Sequence, residues 1–442
     1  MVKARLNKGL YIFPADEAIT PDIVSEFIAL HESQSLPTLQ ESMRMYRGEY
    51  DILTQADKEA YKPDNRLVVG FAKYIVDSFI GFFNGIPVKV AHDNEQVQAF
   101  LDDFRNRNDM DDNESELAKL VAIYGRAYEY LYQDEESLTQ VIYNGPEDII
   151  LVHDDSIAQK PLFAIRYYYN EDNDLAGELF TVAERFVISG KGGISFTEQE
   201  PHYYGSVPIV EYVMSEERQS IFEGVKTLMN AINRTLSEKA NDIDYYADSY
   251  LKILGAELDA ETIQTLRDNR TINMSGEGSQ NVVVEFVTKP SADKAQENLI
   301  DRLIDLVYQM AMVANVNDDQ FATASGVAQE FKLQPMSNMA KNLDRKFKSG
   351  MSRRFKMIFA IVTNIQASYR DEWFDIRYSF TRNMPRNLVD EAEVAAKLEG
   401  IVSKQTQLST LSIVDNAKQE MERMAEEDAE APTYDFQQAG AE

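Results

Sequence analysis

The chain carries 74 acidic side chains, and close carboxylate pairs are what acid–base or metal-assisted phosphodiester chemistry requires. No such pair has a supporting His or Lys constellation beside it. The four histidines, His31, His92, His153 and His202, lie at least 49 residues apart, and cysteine is absent. Those spacings exclude a Cys nucleophile, disulfides and His/Cys zinc ligation. Ser189-Gly190-Lys191-Gly192-Gly193 lacks the spacing and following helix of a phosphate loop, and its position between strand-like runs suits a hairpin turn. Glu171-Asp172-Asn173-Asp174 and Asp111-Asp112-Asn113-Glu114 do not match the calcium-loop template and read as a solvated turn and a helix start. No catalytic residue, cofactor or metal site is expected.

One cluster runs against the composition. Lys341, Arg345, Lys346, Lys348, Arg353, Arg354 and Lys356 stand within 16 residues with a single acid, Asp344, in a chain of net charge −30. It reads either as a DNA-facing surface or as a face that pairs with acidic surface on a neighbouring segment or subunit, and the second reading is preferred. The overall charge argues against tight DNA binding, because phosphate contacts dominate such affinity. It is compatible with letting DNA slide. A hydrophobic content of 44% supports a folded core, and the length allows about three domains. No signal peptide is read at the N-terminus, and no apolar run approaches the roughly 18 residues of a membrane span.

The elements that must position these groups are mainly helical. Residues 1–20 read as an extended arm, and Thr20-Pro21 signals a helix start. Helices are expected over Leu67–Phe83 and Glu95–Asn106, with another after the acidic run Asp109–Glu116. From Gly125 to Ile194 the period falls to two. Strands are expected at Ala127–Tyr132, Thr139–Tyr143, Leu162–Tyr169 and Leu179–Ser189, and Gly205–Tyr212 closes the region. Two long apolar stripes follow: Ile221, Val225, Leu228, Ile232, Leu236, Ala240, Ile243, Ala247; then Leu299, Leu303, Leu306, Met310, Val313. Each keeps one helical face. Between them Tyr250–Leu254 and Val282–Val287 read as strands and Asp259–Asn269 as a short helix. A polar loop, Ala314–Ser325, precedes a long helix from about Gly326 to Gln366 with a kink expected at Pro335. Phe374–Phe380 reads as a strand, Asp390–Glu427 as helical, and residues 429–442 as an acidic tail expected to be partly disordered. Stripes on projecting helices are most simply buried by copies of the same chain.

These pieces, in this order, resemble the portal (head-to-tail connector) proteins of tailed bacteriophages, in the branch from phages of Gram-positive bacteria. The segments that carry the likeness are Asn65-Arg66-Leu67-Val68-Val69 running to Phe83-Asn84-Gly85-Ile86-Pro87, Tyr124-Gly125-Arg126-Ala127-Tyr128, and Tyr204-Gly205-Ser206-Val207-Pro208-Ile209-Val210-Glu211-Tyr212. Further on they are Asn241-Asp242-Ile243 with Tyr250-Leu251, Ala324-Ser325-Gly326-Val327-Ala328 with Lys332-Leu333 and Pro335, and Asn383-Met384-Pro385-Arg386-Asn387. The likeness spans about Asn65 to Glu427.

The resemblance implies an α+β, mainly helical portal fold. It has a mixed α/β wing (21–215 and 327–387), a two-helix stem (216–247 and 291–313), a small α/β clip (248–290) and a C-terminal helical crown (388–428). It implies a ring, typically of about twelve subunits, at one capsid vertex. Double-stranded DNA would pass through it without sequence preference. The expected partners are a terminase motor, a head-completion adaptor, and major capsid and scaffolding proteins, with no membrane. Assembly is expected in the host bacterial cytoplasm and residence in the virion. The polar loop (314–326) falls at the family's tunnel loop. Asn315, Asn317, Asp318, Asp319, Gln320, Phe321 and Thr323 are then the channel-lining candidates, and Asp318 and Asp319 would repel phosphate. The rival readings are a metal-dependent nucleic-acid-processing enzyme and a minor head protein without a channel role.

Overall fold

Thr20 caps the first helix as the Thr-Pro signal requires, its hydroxyl accepting from the Ile23 amide at 3.4 Å with Pro21 at the first helical position. The structure is a computed structural model that describes residues 4–59, 62–247, 251–254, 283–286, 293–315, 326–383, 388–411, 413–414 and 417–430. The chain divides into two compact units, residues 1–382 and 383–442.

In the first unit, helix α1 (Pro21–Leu30) buries Ile23, Val24, Phe27 and Ile28 against a seven-stranded sheet. The sheet runs β1 (Arg5–Asn7), β2 (Leu10–Phe13), β6 (Ile149–Asp154), β7 (Pro161–Tyr169), β8 (Leu175–Phe180), β9 (Glu184–Ser189) and β10 (Ser195–Pro201). β2 pairs parallel to β6 with Tyr11 opposite Val152, and the remaining neighbours are antiparallel. Residues 1–20 are therefore not an arm along the stretch described: Tyr11 and Phe13 are core residues, and Phe13 meets Phe27 and Phe163 edge-on. The sequence run Leu179–Ser189 is two strands, because Thr181–Glu184 makes a turn in which the Thr181 amide donates to the Glu184 carbonyl. Ser189–Gly193 is the β9–β10 hairpin turn, with Gly192 and Gly193 both at positive φ. Asn170–Asp174 is the β7–β8 turn, where Asn170 Oδ1 accepts from the Asp174 amide.

A second sheet orders β11 (Ile209–Val213), β4 (Arg126–Gln133) and β5 (Thr139–Asn144). α5 (Met110–Tyr124) packs on it and on α3 (Phe71–Asn84) and α4 (Glu95–Arg107), and α2 (Leu36–Tyr46) packs on α3 and α5. Asp111 and Asp112 sit in the first turn of α5, where carboxylates complement the helix dipole. α5 stops at Gly125, φ +82°, and a β-carbon there would lie 2.4 Å from the Arg218 backbone. Only glycine satisfies both conditions. Arg377–Ser379 (β14) pairs with Lys89–Ala91 (β3) within the expected 374–380 segment.

Helices α6 (Lys226–Ala247) and α7 (Asp293–Ala311) are the two long helices of the sequence reading, and they pack on each other. Between them Leu251–Leu254 (β12) and Val283–Phe286 (β13) form an antiparallel pair. The helix expected at Asp259–Asn269 lies outside the described residues. α8 (Gly326–Ala360) continues through Pro335 and ends six residues before the expected Gln366. It crosses β11 at Gly350, where a β-carbon would stand 2.4 Å from the Tyr212 ring. The helix therefore approaches the sheet closely at this point, and Phe347 packs on the same ring at 5.0 Å.

The second unit breaks the expected helix 390–427 into α9 (Leu388–Lys397), α10 (Lys404–Leu408) and α11 (Ala417–Glu430). Gly400 at φ +76° ends the first part, and Ser403 caps the next by accepting from the Thr406 amide. Gln407 Nε2 donates to the Ala395 carbonyl at 2.7 Å, tying α10 to α9.

Candidate functional site

The basic run Lys341–Lys356 lies on α8, and the helix sends its members in different directions. Arg354 points inward and is fully buried. Its Nη1 donates to Glu129 Oε1 and its Nη2 to Glu114 Oε1, both at 2.7 Å. Tyr212 donates to the other Glu129 oxygen at 2.7 Å, and Arg105 reaches Glu114 at 3.2 Å. α8, α5, α4, β4 and β11 thus converge on one buried ionic network. Burial alone would lower the Arg354 guanidinium, but the charges of Glu129 and Glu114 outweigh it and hold it well above its ordinary value. On Glu129 burial is the stronger influence, and its carboxyl stays raised despite Arg354.

Arg353, one residue earlier, is largely buried beside Glu211, and burial lowers it. Glu211 itself is drawn below its ordinary value against the push of burial. Its partner is Arg218, which donates to both its oxygens at 2.9 and 2.8 Å. Lys356 lies over the Trp373 ring at 5.5 Å, and Lys346 pairs with Glu216. Lys341, Arg345 and Lys348 remain, exposed at i, i+4 and i+7 on one helical face. Among the described residues none of these three has a carboxylate within ion-pair distance; Arg345 donates to Asn342 Oδ1 at 3.2 Å.

Of the polar-loop candidates, Asn315 is described and half-buried. Asn317, Asp318, Asp319, Gln320, Phe321 and Thr323 lie outside the described residues. The start of that loop lies near α8: Val313, Ala314 and Asn315 line one shallow cleft with Lys332 and Pro335 of that helix.

The structure also adds residues that the apolar stripes concealed. The face of α6 turned to the fold is partly polar, with Asn233, Ser237 and Asn241 all buried. Each accepts from a backbone amide of an extended strap over residues 62–70. Asn241 Oδ1 takes the Asn65 N–H at 2.6 Å, Ser237 Oγ that of Leu67 at 2.8 Å, and Asn233 Oδ1 that of Val69 at 2.8 Å. Every second residue of an extended chain advances about 6.6 Å and every fourth of a helix about 6 Å, so the two registers match. Asn65 also donates through its side chain to Asp244 at 2.5 Å. The legible signal is polar residues at i, i+4 and i+8 on an otherwise apolar helix.

α7 is apolar on two faces. Ile300, Val307 and Ala311 are buried, whereas Leu299 and Met310 of the sequence stripe are 50% and 60% exposed. Ile243 on α6 is 62% exposed. Among the described residues no group of His, Cys, Asp or Glu could hold a metal ion, and no helix is long and apolar enough to cross a membrane.

A family model for phage portal proteins, SPP1 Gp6-like, matches residues 25–433. The chain belongs to this family. As a phage portal protein it has the role of a head-to-tail connector, and the family is a structural one. Similar curated relatives are the portal protein of Bacillus phage SPP1 and that of Clostridium phage phiCD119. The first is 24% identical, over 86% of this chain and 80% of the relative. The second is also 24% identical, over 77% of this chain and 79% of the relative. Both are phages of Gram-positive hosts, as the sequence segments implied. Among solved structures, the portal-family chain aligns with the neck of a native GTA particle computed with C12 symmetry. That match has TM-score 0.47 and 12% identity, covering 85% of this chain and 93% of the other. It also aligns with the neck of an empty GTA particle computed with C6 symmetry, at TM-score 0.46 and 12% identity, covering 84% and 92%.

Proposed function

We propose that the chain assembles as a closed ring of about twelve copies around a channel at one capsid vertex. Double-stranded DNA passes through that channel without sequence-specific contacts. The observation that carries the reading is the uncovered second face of α7, with Leu299 and Met310 half or more exposed on a helix whose other face is already packed. Apolar side chains in a line on a long helix need a cover, and within this family a neighbouring copy is the natural one.

In this reading residues 21–215 and 327–387 form the wing, 216–247 and 291–313 the stem, 248–290 the clip, and 388–428 the crown. The loop 314–326 faces the channel. Its Asn315, Asn317 and Gln320 offer polar, uncharged contacts, and Asp318 and Asp319 repel phosphate, so the lining adds little affinity to moving DNA. The clip is the surface for a packaging motor during filling and for a head-completion adaptor afterwards, while the wing meets capsid and scaffolding proteins. Nucleotide hydrolysis belongs to the motor, and this chain acts without catalysis. Assembly takes place in the host cytoplasm and the ring ends in the virion. Negative-stain images of the purified protein test this. Rings with a central hole support it, and dispersed monomers at high concentration overturn it.

A further inference from the structure

The end of α7 and the middle of α8 enclose a cleft of about 770 Å³ whose apolar wall is unusually rich in methionine: Met214, Met310, Met312 and Met339, with Ile221. Met312 stands just past the end of α7 at φ +56°. That left-handed position is normally filled by glycine or asparagine, because a β-carbon is disfavoured there. A long apolar side chain at such a position is explained if the side chain has a task, yet Met312 is 52% exposed in the single chain. Methionine is flexible and polarizable, which suits it to a surface that must adapt to a partner.

Arg345 and Lys346 lie on the rim of the same cleft. Arg345 belongs to the exposed row Lys341, Arg345, Lys348, which meets no carboxylate among the described residues, in a chain of net charge −30. We infer that this cleft and its basic row are the seat of a second copy of the chain. The neighbour covers the methionines, and its acidic surface neutralises the row. The inference rests on the ring reading and names the surface through which one copy grips the next. Charge complementarity favours this occupant, since any second copy brings strongly acidic surface. DNA is the other polyanion available, but a phosphate backbone would neutralise the lysines and leave the thioethers uncovered. A heterologous contact through this cleft is the kind that closes into rings.

The chain has no cysteine, so Met312→Cys carries a single thiol. Maleimide labelling of that thiol, compared between the assembled fraction and dilute monomer, reads whether the cleft is covered. The expected result is labelling at least tenfold slower in the assembly. Ile157→Cys, at a fully exposed turn, should label equally in both. Met339→Cys, within α8, gives the same reading without the left-handed position. Rings in which both cleft thiols label as fast as in monomer overturn the inference while leaving the ring reading intact. Protection that appears only on adding a DNA duplex assigns the cleft to DNA and also overturns it. Wild-type protein that stays monomeric at all concentrations removes both readings.

Discussion

Arg354 donates to Glu129 at 2.7 Å across a core in which neither side chain is more than 2% exposed. The bond joins the long helix α8 to the central strand of the three-stranded sheet, and Glu114 of α5 completes the bridge. A buried ion pair is weak evidence of net stabilisation, but removing one partner is severe because the other charge is left uncompensated.

Arg354→Met should therefore destabilise the fold by about 3–5 kcal/mol, measured by chemical denaturation. The loss should shrink as pH falls. Without the guanidinium, Glu129 is held still further above its ordinary value. A carboxyl raised in the fold contributes stability below its unfolded pKa and loses it as pH rises through the folded one. A penalty that is flat between neutral and acidic pH would contradict this account.

The strap on α6 makes a separate prediction. Ser237→Ala leaves the Leu67 amide without its acceptor, at a cost of about 1–3 kcal/mol. Hydrogen exchange of the Leu67 amide should accelerate most in that variant, that of Val69 in Asn233→Ala, and that of Asn65 in Asn241→Ala. Equal exchange in all three variants and wild type would show that the strap is held by other contacts.

His31 gives a pH signature. It is buried, with Nε2 donating to the Pro146 carbonyl at 3.0 Å and Nδ1 accepting from the Tyr167 hydroxyl at 2.8 Å. Burial, aided by the nearby Arg126 charge, lowers it from 6.5 to about 4. The neutral ring is the folded form, so its contribution is fully present above pH 6.5 and is lost as pH falls toward about 4. That amounts to roughly 3 kcal/mol. His31→Gln should melt lower than wild type at pH 7.5 and lose less between pH 6.5 and 4.5. Parallel melting curves across that window would rule the assignment out.

Much of this was legible from residue order and much was not, for identifiable reasons. α3 and α4 announce themselves through 3.6-residue periodicity, but residues 67–70 of the expected Leu67–Phe83 helix belong to the strap, and α5 begins at Met110, inside the acidic run expected to precede it. β6, Ile149–Asp154, escapes such reading because both its faces are buried and it shows no alternation. The N-terminal hairpin reads as an arm because its partner β6 lies more than 130 residues away. Arg353 and Arg354 look like their basic neighbours in sequence. Only packing reveals that the helix turns them toward the core, while Lys341, Arg345 and Lys348 stay outside. The polar ladder on α6 was visible as Asn233, Ser237 and Asn241, but its meaning depends on a segment about 170 residues earlier.

For the channel lining, Asp318→Lys combined with Asp319→Lys should slow DNA packaging and strengthen DNA retention, both more strongly at low salt. Packaging and retention indistinguishable from wild type would remove those two residues from the channel.

The central claim is that identical copies close on one another. Native mass measurement of the purified chain tests it most directly. The account predicts one dominant closed species at about twelve times the 50.4 kDa subunit. A monomer at every concentration, or an open series of oligomers with no preferred size, would contradict it.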